Sequence, residues 1–122
     1  MQLAIVKRLL SDSASNSKLA PFYSAPDDTT VIVNGIIFHY NSEAGGDGAD
    51  LFVAVYVSDV DNSSANDPQD SERLYYFKLK PDMTLEKNRL PIILNPGDGI
   101  HIQADVTGVI NVALFGSEVT DN

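Results

Sequence analysis

Thr29–Tyr40 reads TTVIVNGIIFHY, a run dense in β-branched and aromatic side chains with a glycine near its middle. Such residues suit a pleated, half-buried surface, and Gly35 inside the run predicts a bulge or a close approach of another backbone. Downstream, Leu51–Val57 (LFVAVYV) is apolar at every position, as expected for a strand covered on both faces. Leu74–Lys80 alternates, with Tyr75, Phe77 and Leu79 on one face and Tyr76, Lys78 and Lys80 on the other. Leu90–Leu94 is a shorter run, and Pro91 assigns it to an edge or a strand start, because proline cannot donate to a ladder. Gly99–Val106 predicts Ile100, Ile102, Ala104 and Val106 inward and His101, Gln103 and Asp105 outward; Val109–Phe115 closes the set. Only Leu3–Leu10 could be helical, and it suits a strand equally well. Turn residues separate the runs at Pro26-Asp27-Asp28, Pro81-Asp82 and Asn95-Pro96-Gly97-Asp98. Short strands at close spacing with no credible helix predict one all-β domain, an antiparallel β-sandwich of jelly-roll-like type. Residues 1–20 read as an N-terminal strand or arm with a Ser-rich polar loop (Ser11–Ala20), and residues 21–122 as the sandwich domain.

At 122 residues the chain can bury roughly two-thirds of its surface, enough for a core of its own. With no cysteine, it has no disulfide, thiolate nucleophile, zinc–cysteine site or iron–sulfur cluster. Eight basic against seventeen acidic residues give a formal charge of −9. That balance disfavours nucleic acid and anionic membranes, both of which are bound through Lys and Arg. Lys7 and Arg8 interrupt the apolar opening where a secretory signal would have its hydrophobic region, and Leu51–Val57 is far too short for a spanning helix. A soluble acidic domain is expected. Charge is also segregated: Leu19–Glu72 holds no Lys or Arg, while basic residues stand at Lys7, Arg8 and Lys18 and again from Arg73 to Arg89. This pattern predicts docking against a charged partner.

Ser58–Glu72 (SDVDNSSANDPQDSE) is a long acidic connection, the kind that is either functional or mobile. Its carboxylates Asp59, Asp61, Asp67 and Asp70, with Ser63, fall at spacings 1, 3, 9, 12 and 5 of a calcium-loop ladder. Ser64 stands where the sharp turn of an EF-hand needs glycine, Pro68 interrupts the register and no helices flank it, so only a looser calcium site is left as a candidate. The two histidines, His39 and His101, would have to converge with a carboxylate to hold a metal. Neither a Gly-x-Ser-x-Gly elbow nor a phosphate-cradling glycine loop is present, and Gly45-Gly46-Asp47-Gly48 reads as a flexible connection. Without tryptophan, a sugar platform would fall to Tyr76 or Tyr40. The expectation is a protein that is not an enzyme and carries no cofactor.

Nearly the whole chain resembles a widespread class of small bacteriophage virion proteins. The resemblance lies in Tyr23, Pro26, Thr29 and Thr30 of FYSAPDDTT, in the Ile-rich strand ending at Asn41, in Leu94, Gly97, Asp98 and Ile100 of LNPGDGI, and in Gly116 and Glu118 near the end. It implies a β-sandwich that packs onto a phage particle, either as a capsid decoration (cement) protein or as a tail or neck accessory. The implied partners are the major capsid protein or other virion proteins and copies of the chain itself, with a trimer suited to shell symmetry axes. The implied location is the virion, assembled in the host cytoplasm. This chain departs from the class in having Pro26-Asp27-Asp28 where Pro-x-Gly is common, and in its longer, more acidic Ser58–Glu72 segment. On charge, Lys7, Arg8 and Lys18 are the expected shell-facing residues, with the acidic segment turned to solvent. A terminal strand could add to an exposed sheet edge. The alternative is a receptor- or glycan-binding module on a tail, with calcium in the acidic segment.

Overall fold

A computed structural model describes residues 6–59, 67–88 and 91–120. Nine strands are present among them: β1 (Lys7–Ser13), β2 (Tyr23–Ser24), β3 (Thr29–Tyr40), β4 (Leu51–Ser58), β5 (Arg73–Leu79), β6 (Thr84–Lys87), β7 (Ile92–Leu94), β8 (Gly99–Ala104) and β9 (Ile110–Thr120). Two antiparallel sheets pack face to face. One runs β1-β9-β3-β6, with β7 also on β3, and the other runs β2-β8-β4-β5. The pairings are nested: β1 with β9, β2 with β8, β3 with β6 and β7, β4 with β5. A long hairpin rolled into two layers has this order, and β3–β9 and β4–β8 pairing closes the roll. The architecture is therefore a jelly-roll β-sandwich. No helix among the described residues is long and apolar enough to cross a membrane.

The deciding run is β3, with the expected bounds. Val33 faces Gly116 of β9 and Gly35 faces Phe115, so Asn34 is the extra residue of a bulge. Its effect is on parity, since the buried side chains are Val31 and Val33 before it and Ile36, Phe38 and Tyr40 after it. One bulge thus keeps a twelve-residue strand facing the core while the sheet coils. Phe38 meets Phe77 of the opposite sheet edge-to-face, with centroids 4.8 Å apart. β6 lies along Ile36–His39 and β7 along Val31–Val33, so together they form one interrupted edge, with Pro91 beside the break. Asp28 and Asp82 take left-handed backbone (φ 59 and 62) in turns closed by Thr29 N–H to Pro26 and Met83 N–H to Lys80.

Several expectations need correcting. β1 runs Lys7–Ser13 rather than Leu3–Leu10, so Ser11–Ser13 belong to a strand and not to the Ser-rich loop; residues 3–5 lie outside the described residues. β8 ends at Ala104, which leaves Val106 in an exposed turn instead of the core, and β9 extends to Thr120. β2 and β6 were not expected, being too short to carry a period. Tyr40 is no stacking surface. It is wholly buried, donating to the Ala49 carbonyl (2.7 Å), and Gly46 lies so close that a Cβ there would strike its hydroxyl. Gly46 is thus fitted against Tyr40, whereas Gly48 stands in open space.

Candidate functional site

The connection from β1 to β2 arranges the outer face of the four-stranded sheet. Ser15 accepts from Ala104 N–H (2.8 Å), Asn16 accepts from Gln103 Nε2 (3.1 Å) and Phe22 N–H donates to Ile100 (2.8 Å), so the segment runs along β8. It covers His101. This side chain does point outward from the alternating strand, but it is 0% exposed. Its Nδ1 lies 2.6 Å from the Lys18 carbonyl and its Nε2 lies 2.9 Å from Ser58 Oγ. A carbonyl can only accept, so Nδ1 carries a hydrogen, while Ser58 Oγ also lies within donating distance (3.5 Å) of the Gly99 carbonyl. The Ser58–His101 contact has the spacing of a nucleophile and its base, but Ser58 is only 1% exposed. It is a buried joint between β4, β8 and the covering segment. His39, on β3 in the other sheet, pairs with Thr84 Oγ1 (2.8 Å), so the two histidines do not converge.

The sequence-derived docking residues are divided by the fold. Lys7 and Arg8 stand at the start of β1 in the five-stranded sheet, whereas Lys18 lies over the other sheet. Lys18 Nζ donates to the Pro68 carbonyl (2.7 Å), approaches Asp67 (3.8 Å) and sits 5.2 Å from the Tyr56 ring centroid. It braces the end of the acidic segment against the sandwich. Lys7 Nζ pairs with Glu118 Oε1 (2.6 Å), whose other oxygen accepts from the Tyr23 hydroxyl (3.0 Å). The lysine holds the Glu118 carboxyl below its ordinary 4.5, and burial, aided by that carboxylate, raises the Tyr23 hydroxyl well above 10.0. Of the calcium candidates, Asp61 lies outside the described residues, Asp67 faces Lys18, Asp70 opens the 3-10 turn Asp70–Glu72, and Asp59 follows β4. Among the described residues no three His, Asp or Glu side chains gather as a metal would require.

What periodicity did not indicate is a groove on this outer face. Ala54 forms its floor, Phe52, Tyr76 and Arg73 one wall, and Gln103 and Asp105 the other, around about 230 Å³. Tyr76 lies opposite Ala54 on β5, Arg73 opposite Tyr56 after a register shift, and Lys78 opposite Phe52. Phe52 and Tyr76 stack at 5.2 Å and 10°, while the Arg73 guanidinium sits 4.5 Å from the Tyr76 centroid. Arg73 and Phe52 flank Tyr76 from opposite directions along the strands. Both aromatic side chains remain in contact with solvent, Tyr76 55% and Phe52 40% exposed. Across the groove, Asp105 Oδ2 accepts from Phe52 N–H (2.8 Å) and Gln103 is held through its amide nitrogen. The visible signal was LFVAVYV, whose outward members Phe52, Ala54 and Tyr56 read only as cover. A second depression, about 310 Å³ between β5 and β6, is lined by Tyr75, Glu86, Lys87 and Asn88, with Lys87 Nζ 5.0 Å from the Tyr75 ring centroid.

The residues that carry the phage resemblance meet at structural joints. Tyr23 joins Glu118, while Ala25 exchanges backbone bonds with Gly97 and Asp98 (3.0 and 2.9 Å). Asp98 Oδ2 also accepts from Asn95 N–H (3.0 Å), and Asn41 caps the turn Ser42–Ala44. Gly116 passes the Ile32 carbonyl so closely that a Cβ would overlap it. No protein-family model, curated protein or solved structure matches the chain.

Proposed function

We propose that the chain is a non-enzymatic structural component of a bacteriophage particle, a capsid decoration protein that adheres to the head shell as a homo-oligomer and stabilises it. The observation that supports this reading is the convergence of the resemblance-bearing residues. Tyr23, Gly97, Asp98, Gly116 and Glu118 are scattered through the sequence, yet they tie β2, the β7–β8 turn and β9 into one rigid end of a jelly roll. A rigid sandwich with exposed side chains at its margins suits adhesion in many copies, since little order has to be gained on docking. The partner is then the major capsid protein or a neighbouring virion protein. Arg8, exposed at the start of β1, is the best-placed shell contact among the three cations, because Lys7 and Lys18 are engaged within the molecule. The test is co-sedimentation of purified protein with heads of the phage that encodes it, prepared without it. Saturable binding at a fixed copy number per shell is expected, together with slower disruption of decorated heads on heating. Protein that stays in the supernatant at all concentrations overturns the proposal.

A further inference from the structure

We infer that the groove between Phe52, Tyr76 and Arg73 on one side and Gln103 and Asp105 on the other binds a neutral hexose unit of a glycan. The inference stands on the groove alone and does not depend on the virion reading. Its volume, about 230 Å³, leaves room for a small ligand. Its walls differ in kind. Phe52 and Tyr76 offer an apolar flank, whereas Gln103 and Asp105 offer acceptors and Arg73 a fork of donors.

That mixture selects among ligand classes. An apolar ligand would desolvate Arg73, Gln103 and Asp105 without replacing their water, an uncompensated cost. A phosphate or sulfate would meet the Asp105 carboxylate. A nucleotide would bring a phosphate to that same carboxylate. A hexose fits each wall: its C–H flank lies against the exposed Phe52 side chain, hydroxyls donate to Asp105 and to the Gln103 amide oxygen, and ring or hydroxyl oxygens accept from Arg73. The guanidinium has no carboxylate within ion-pair distance among the described residues, so its donors are available. Guanidinium and carboxylate balance, which favours a neutral sugar. The recognising groups are also held before a ligand arrives: Asp105 by Phe52 N–H, Gln103 by the Asn16 carbonyl, and Arg73 on the Tyr76 ring. Little side-chain freedom is then lost on binding.

The experiment uses the full chain on an array of neutral and acidic glycans, followed by amide NMR titration with the strongest neutral glycan. Expected are binding to neutral glycans and shifts centred on residues 52–56, 73–76 and 103–105. Asp105→Asn should weaken binding at least about tenfold, the scale of one hydrogen bond to a charged group, and Tyr76→Ser should weaken it about as much by removing apolar contact area. Asp105→Asn keeps the acceptor for Phe52 N–H, so the fold is retained while one acceptor becomes a donor. Binding restricted to acidic glycans, no binding, shifts centred elsewhere, or unchanged affinity in either variant would overturn the inference. A chain that sediments with shells and ignores glycans defeats this inference alone, and the reverse outcome defeats only the virion reading.

Discussion

Glu118 links three strands through two short contacts, from Lys7 of β1 and Tyr23 of β2 to its own β9. Its folded carboxyl titrates below the ordinary 4.5, foremost because of Lys7. A lowered carboxyl adds stability that is complete above its unfolded value and is lost as pH falls through the folded one. Glu118→Gln should therefore melt lower than wild type at neutral pH, with the gap narrowing as pH drops below 4.5. A gap that stays constant across pH would mean that the ionic contact is not what the carboxylate contributes. Gly116 is constrained by space, since its neighbour is a backbone carbonyl that cannot swing aside. Gly116→Ala should cost about 1–3 kcal/mol in denaturant unfolding, the usual range for overpacking. Such close approach was invisible in the sequence, where Gly116 counted only as a motif position. Alternation likewise assigned His101 to the outer face correctly, but period alone cannot tell solvent from a covering loop. Tyr40, one of two possible stacking surfaces by sequence, is the opposite case: its parity after the Asn34 bulge directs it into the core.

Long, strongly patterned strands were legible because burial writes itself into a period. β3, β4 and β5 fall within one residue of their sequence-derived bounds, and the Gly35 bulge follows from a glycine inside a strand. β2 and β6 escaped, since two and four residues carry no period and their pairing is set by partners distant in sequence. The groove was unreadable for the same reason: its walls come from β4, β5 and the end of β8, brought together only by sheet order. Of the acidic segment, residues 60–66 lie outside the described residues. Its last residues fold back, with Pro68 accepting from Lys18 and the Glu72 carboxylate accepting from Gln69 N–H (2.8 Å). With Asp67 facing Lys18, adding calcium in place of chelator should leave the melting midpoint unchanged; an upward shift would support the calcium ladder. Lys18→Met keeps most of the apolar stem and removes the contact with Pro68. Amide exchange at residues 67–72 should then quicken, with a stability loss of about 1 kcal/mol. Unchanged exchange there would show that Lys18 does not hold the segment.

Nested pairing makes the first and last strands neighbours: β1 lies on β9 from Lys7–Gly116 to Ser13–Asn111. This bears directly on how shell docking can be tested. Deleting residues 1–18 would remove any docking strip, but it would also strip an edge strand, expose the β9 backbone and uncover His101, which the Lys18 carbonyl holds. Leu9, packed against the core, is worth of the order of 2 kcal/mol on its own. The truncated chain should melt at least about 8 °C lower. Its open β9 edge should also promote aggregation. Failure of that chain to decorate heads would say nothing about contact chemistry. Arg8→Glu separates the two effects, because the side chain is exposed and the strand is retained. If Arg8 faces the shell, this variant should melt like wild type but bind heads more slowly, with the deficit largest at low salt, where screening is weakest. Equal binding at every salt concentration would exclude Arg8 from the contact and move attention to the other cationic margin, where Arg73, Lys78 and Lys87 line β5 and β6.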